Sequence, residues 1–130
     1  MIRTTTRSIR TAEAIRDRED FRTSGALYGE ETGRMSVWQS GKLSGADYDQ
    51  FVLDAPYVDY VVWSYSTPIA WHWTSQNPTA QPQQGWHVVS QKFSPTTSKH
   101  QSNLYMIKRE EETLRLLTEM ADEYDAATAL

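Results

Sequence analysis

Ten residues near the middle of the chain, YVDYVVWSYS (Tyr57–Ser66), limit the fold more than any other stretch. They are dense in β-branched and aromatic side chains, the composition of a strand. Alternation puts Tyr57, Val61, Trp63 and Tyr65 on one face and Val58, Tyr60 and Val62 on the other. Both faces are partly apolar, so the strand is expected at the centre of a sheet covered on both sides. After a break at Thr67-Pro68, PIAWHW resumes extended structure, with Ile69, Trp71 and Trp73 alternating with Ala70 and His72. The polar run TSQNPTAQPQQG is a loop, and WHVVSQKF is the returning strand of a long-tipped hairpin.

Helical patterns flank this centre. Residues 10–20 read as a short helix with a thin apolar stripe, after a flexible lead-in over residues 1–9. In RTSGALYGEETGRMSVW, EETG reads as a hairpin turn, with Leu27 and Met35 anchoring its arms and Val37 beside the second. LSGADYDQFVLDAP reads as a helix with Ser44 as N-cap, Asp47 completing a capping box, a Tyr48/Phe51/Val52 face and Pro56 as its stop. Leu104, Ile107, Leu114, Leu117, Ala121 and Tyr124 mark a long final helix. The order predicts an α+β domain spanning residues 1–130: an antiparallel sheet of about four or five strands, two or three helices packed on it, and a long C-terminal helix.

Composition narrows the function. The chain has no cysteine, which removes disulfides, thiolate zinc sites and cysteine catalysis and fits a reducing compartment. No run is apolar enough to span a membrane, and the arginine-bearing N-terminus lacks the apolar core of a secretory signal. These features lead to an expected location in the cytoplasm. The formal net charge is −4, the wrong sign for a purely electrostatic nucleic-acid binder. The charge is uneven: Arg3, Arg7, Arg10, Arg16, Arg18 and Arg22 crowd the start, and acidic residues from Glu110 to Asp125 crowd the end. Two solvated faces, pairing with each other, account for this better than a basic binding arm.

His72, His87 and His100 follow no zinc-ligand spacing, so neither a metal nor a cofactor is expected. His87 reads as a half-buried strand residue. His72 is aimed away from Trp71 and Trp73, toward hydroxyls such as Ser64 or Ser66 on the neighbouring strand. A Ser/His pair invites a nucleophile, but no G-x-S-x-G elbow surrounds either serine. Among the tryptophans, Trp63 and Trp71 belong in the core, and Trp73 and Trp86 flank the long loop as surface candidates.

The densest polar string is FSPTTSKHQ (Phe93–Gln101). Pro95 ends the strand, and Thr96, Thr97 or Ser98 can cap the helix that follows; Thr97 as N-cap would put Ser98, Lys99 and His100 in its first turn. Capping needs one hydroxyl, and a cation there opposes the helix dipole. The surplus fits an anion-binding surface in which Thr96, Thr97, Ser98 and Lys99 hold a phosphate and His100 and Gln101 add contacts to a base or sugar. With Ser64, Ser66, Thr67 and His72 they form the expected binding surface.

Three strings, RTSGALYGE (22–30), YVVWSYSTPIAWHW (60–73) and GWHVVSQKFSPTTSKHQ (85–101), resemble a small family of uncharacterised proteins associated with actinobacterial phages and mobile elements. Its members carry YxVxSYxTPIAWH, then GW, then a strand ending in YSxTTSxHQ. The match falls on Ser64, Tyr65, Thr67 to His72, Gly85, Trp86, Ser94, Thr96, Thr97, Ser98, His100 and Gln101. The family often has Gly at the position of Ser66, so a tight turn there is less assured, and Tyr at that of Phe93. The resemblance implies a phage or mobile-element origin and a hot region, not a reaction. The reading that results is a non-enzymatic accessory protein of the host cytoplasm, binding nucleic acid or another phosphate-bearing ligand. A modulator of a host protein, acting through the acidic helix or exposed tryptophans, is the alternative. A hydrolase or nuclease using His72 or His100 is a third.

Overall fold

The computed structural model describes residues 1–128. Six strands form one sheet in sequence order: β1 (Ile2–Thr4), β2 (Phe21–Thr23), β3 (Leu27–Glu31), β4 (Val58–Ser64), β5 (Thr67–Thr74) and β6 (Gln84–Val88). Every neighbouring pair is antiparallel except β1 and β2, which run parallel. A parallel pair needs a crossover, and helix α1 (Ile9–Arg16) supplies it. The sheet therefore has more strands than the sequence predicts and is mixed. Residues Ile2–Thr4, expected in a flexible lead-in, instead form its edge. Asn103 pins the following loop: its Nδ2 donates to the Thr6 carbonyl and its Oδ1 accepts from the Ser8 N–H.

β4 lies between β3 and β5, and the sheet buries both faces. One core joins Tyr60, Val62, Ala70, Trp86 and Val88 to Ala14 and Ile15 of α1 and to Leu104 and Ile107. The other joins Val61, Trp63 and Trp71 to Phe51 of α2 (Gly45–Asp54), Met35 and Leu43. Register shifts in the β4–β5 pairing, between Val58 and Tyr60 and between Val62 and Trp63, interrupt simple alternation. Val58 thus joins Val61 and Trp63, while Tyr57 and Tyr65, expected beside them, are exposed.

Other local expectations change. The β2–β3 turn falls around Ser24–Ala26, not at EETG, and Met35 is buried from a loop and not from a strand. Ser44 is the N-cap of α2 but its side chain makes no capping bond. Asp47 faces inward instead: it accepts from the Gln91 N–H at 3.0 Å and pairs with His87 Nε2 at 2.8 Å, fastening α2 to the end of β6. Phe51 is the buried member of the expected apolar face, with Tyr48 and Val52 partly exposed. The break in the central hairpin is two residues earlier than expected, at Tyr65-Ser66, and Thr67 and Pro68 belong to β5.

The final helical region is divided. α3 (Pro95–Gln101) and a 3-10 turn (Ser102–Leu104) precede α4 (Tyr105–Thr128). Leu104 and Ile107 are buried and Leu114 packs half-buried beside Gly85 of β6, but Leu117 and Ala121 are exposed, so the apolar stripe meets the sheet only over its first part. The Tyr124 side chain lies outside the described residues. The early arginines pair locally, Arg10 with Glu19 and Arg16 with Asp17 and Glu13, and among the described residues none forms an ion pair with α4.

Candidate functional site

The two polar strings meet. β4 ends at Ser64, and Tyr65 and Ser66 form a two-residue turn before Thr67. Tyr65 takes a left-handed conformation, φ 57°, which glycine adopts without penalty and a tyrosine adopts at a cost of about 1–2 kcal/mol. The tight turn is therefore present without the glycine that the family pattern often has. The start of α3 lies against it.

Ser94, not Thr97, caps α3: its side chain accepts from the Thr97 N–H at 3.1 Å, with Pro95 following as the first helical residue. Lys99 and His100 consequently sit in the last turn of α3, where the dipole favours cations, and not in the first turn that the sequence predicts. Pro95 has no N–H and the Thr97 N–H is taken, so the helix start has little left to offer an anion. The helix-terminus grip is replaced by a side-chain cleft.

Behind the cleft runs a buried hydroxyl network. Ser64 Oγ donates to Thr97 Oγ1 at 3.1 Å, Ser94 Oγ donates to the same oxygen at 3.2 Å, and His100 Nδ1 lies 2.7 Å from Ser64 Oγ. With the serine proton directed at Thr97, the imidazole meets Ser64 as an Nδ1–H donor. Burial lowers the His100 pKa, in agreement with a neutral ring. A base that donates to its serine does not activate it, so the pair joins turn to helix. Gln101 also faces inward, its Nε2 donating to the carbonyls of Val89 and Gln91, and its Oε1 has no partner among the described residues.

In front of the network is an open cleft of about 490 Å³, within the range of small-ligand sites. Tyr65, Ser66 and Thr67 form one wall, Phe93, Ser94 and Thr96 the other, and Lys42 stands at the rim. The Lys42 segment is fixed: its N–H donates to Thr67 Oγ1 at 3.0 Å and its carbonyl accepts from Gln91 Nε2 at 3.2 Å. Gly41 makes that approach possible. Its φ is +56°, and a Cβ there would lie 2.6 Å from the Ser66 carbonyl oxygen. Lys42 makes no ion pair among the described residues.

Of the ten residues expected at the site, Ser64, Ser66, Thr67, Thr96 and Thr97 line this cleft. His100 and Gln101 are buried behind it, and Ser98 and Lys99 are exposed outside its lining. His72 is elsewhere. It pairs with Tyr60, at the opposite end of the hairpin from Ser64, five residues along β5 from Thr67 or roughly 16 Å. It is buried, not open, and bonded to Asp59 and not to a serine. Trp86, expected near the surface, is buried, while Trp38 is 90% exposed.

Lys42, Tyr65, Phe93 and Ser94 line the cleft without being expected there. Tyr65 lies in YVDYVVWSYS and Phe93 and Ser94 in FSPTTSKHQ, and a tyrosine at a strand-to-strand turn is a usable signal. Lys42 comes from a distant segment, and no local pattern marks it.

The fold and its polar clefts define a small α+β domain with a mixed six-stranded sheet. The chain belongs to a family of unknown function, DUF8033, which matches residues 3–117. No curated protein and no solved structure matches it.

Proposed function

We propose that the protein is a non-enzymatic accessory protein of a phage or mobile element, and that its cleft binds a nucleotide unit, free or within single-stranded nucleic acid. The observation that carries this reading is the cleft's make-up: the exposed residue Tyr65, 56% accessible, and Phe93, partly buried against the core, stand beside the hydroxyls of Ser66, Thr67 and Thr96, with Lys42, which has no ion pair among the described residues, at the rim. Aromatic faces stack on bases without regard to sequence, and hydroxyls with a lysine suit phosphate. The origin rests on the sequence resemblance.

Fluorescence anisotropy with a short labelled single-stranded oligonucleotide tests the reading. Lys42→Ala is expected to weaken binding and to flatten its salt dependence. Tyr65→Asn, which keeps a residue tolerant of the left-handed turn, is expected to lose roughly 1–3 kcal/mol of stacking with little change in salt dependence. A parent protein with no affinity for the oligonucleotide or for a nucleoside monophosphate removes the proposal.

A second reading, a modulator of a host protein, has its own observation: Leu116, Leu117 and Met120 are exposed on α4 beside Glu119. Charge reversal across Glu110–Glu112 is a poor test of it, because Glu111 Oε2 accepts from the Val88 N–H at 2.7 Å and holds α4 to β6. Leu117→Glu and Met120→Glu alter the exposed face alone.

A further inference from the structure

The C-terminus of α1 carries an arginine where the backbone favours glycine. Arg18 has φ 55°, its N–H donates to the Ile15 carbonyl, and the Glu19 N–H donates to the Ala14 carbonyl. This is the paired closing pattern of a helix whose left-handed position is usually filled by Gly or Asn. The arginine side chain does not turn back to the helix carbonyls. Its Nη1 lies against the His72 ring, 2.6 Å from Nε2 and 3.2 Å from Nδ1, and 3.5 Å from Gln84 Oε1.

His72 is held from its other side. Its Nδ1 is 2.7 Å from Asp59 Oδ1, and Thr74 Oγ1 donates to Asp59 Oδ2 at 2.7 Å. The Asp59 carboxylate only accepts, so Nδ1 carries the proton. Burial as the largest cause, offset by Asp59, holds the His72 pKa below its usual value. The Trp86 ring packs edge-on against the imidazole, 5.3 Å between centroids, and fixes it further.

Arg18 is thereby anchored through one nitrogen. Its Nε and Nη2 have no partner among the described residues, and no carboxylate lies within ion-pair distance. Arg16, by contrast, is neutralised by a two-pronged pairing with Asp17 at 2.9 and 3.1 Å. Arg18 lines a cleft of about 400 Å³ with Arg16, His72, Gln84, Trp86, Glu110 and Leu114. An exposed arginine held by a buried imidazole, at a backbone position that a tyrosine-sized or charged side chain occupies at a cost, is placed for more than closing a helix.

We propose that this cleft is a second ligand site, separate from the cleft at the hairpin turn, in which Arg18 holds a singly charged oxyanion with His72 and Asp59 fixing the guanidinium. The free edge of a guanidinium matches two oxygens of a carboxylate or a phosphodiester. Arg16 in the lining is already paired with Asp17, so Glu110 beside it and Asp59 behind His72 disfavour a doubly charged group. Trp86 and Leu114 supply an apolar floor for the rest of the ligand.

The test is an NMR titration of the full chain, reading the Arg18 Nε–Hε and His72 ring-nitrogen resonances, with His87 as internal control. Sodium propionate and dimethyl phosphate are the two single-charge probes, and inorganic phosphate at mildly alkaline pH is the doubly charged one. Expected is a saturable shift at Arg18 and His72 with at least one single-charge probe, weaker with inorganic phosphate, and none at His87. Which of the two probes acts identifies the source as carboxylate or phosphodiester. Arg18→Gln, which retains a donor for His72, is expected to keep the His87 signal and lose saturation. Shifts that do not saturate, a preference for inorganic phosphate, or an Arg18→Gln protein that titrates like the parent each overturn the assignment.

Discussion

Gly29 shows how closely single residues are fitted. It sits on β3 opposite Val62, and an added Cβ would overlap the Phe21 ring and the Tyr60 hydroxyl. Tyr60 cannot move away freely, because its hydroxyl donates to the Glu19 carbonyl at 2.7 Å and it lies in the core. Gly29→Ala is therefore expected to destabilise the fold by about 1–3 kcal/mol through overpacking, read as a lower urea midpoint. The histidines give a second residue-scale prediction. Burial lowers the pKa of both His72 and His100. Between those lowered values and the unfolded value of about 6.5, the unfolded chain binds more protons, so stability rises with pH there. The stabilising contribution is complete above about pH 6.5 and is lost as pH falls through the folded values. Urea midpoints measured in steps of falling pH are expected to decline across this window, and His100→Gln is expected to flatten part of the decline.

At the scale of elements, α2 and α4 are attached differently. α2 is fastened by buried Asp47, which serves His87 Nε2 and the Gln91 N–H together, and by Phe51 against Trp71, 5.1 Å between ring centroids. Asp47→Ala leaves two donors without an acceptor and is expected to cost about 1–3 kcal/mol, measured by chemical denaturation. α4 is anchored at its first turns by Ile107 and by Glu111 on β6, whereas Leu116, Leu117 and Met120 are exposed. Amide hydrogen exchange is expected to show protection near Ile107 and markedly faster exchange beyond Leu117. Equal protection along the helix contradicts this and points to a covered outer half.

For the whole molecule, the central hairpin and the α+β class were legible because β4 and β5 carry their own signal: dense β-branched and aromatic residues with apolar groups on both faces. The edge was not. β1 and β2 have three residues each, too short for a period to register, and their parallel pairing is decided by the α1 crossover. The surplus of hydroxyls in FSPTTSKHQ was legible, but whether and how that string meets the β4–β5 turn was not. Ser94 competes with Thr97 for the cap, and the winner moves Lys99 and His100 from the first turn to the last. His72 was assigned to the wrong end of the hairpin because the register placing Ser64 opposite Thr67 was unknown. Asp59, alone among apolar neighbours in YVDYVV, was the overlooked signal for its partner.

Amide chemical-shift mapping of the parent protein with a nucleoside monophosphate tests the proposal that the cleft between the β4–β5 turn and α3 holds a nucleotide unit. The prediction is a saturable set of shifts centred on Lys42, Tyr65, Ser66, Thr67 and Thr96, separate from any response at Arg18. Shifts that fail to saturate, or that cluster away from this cleft, would contradict it.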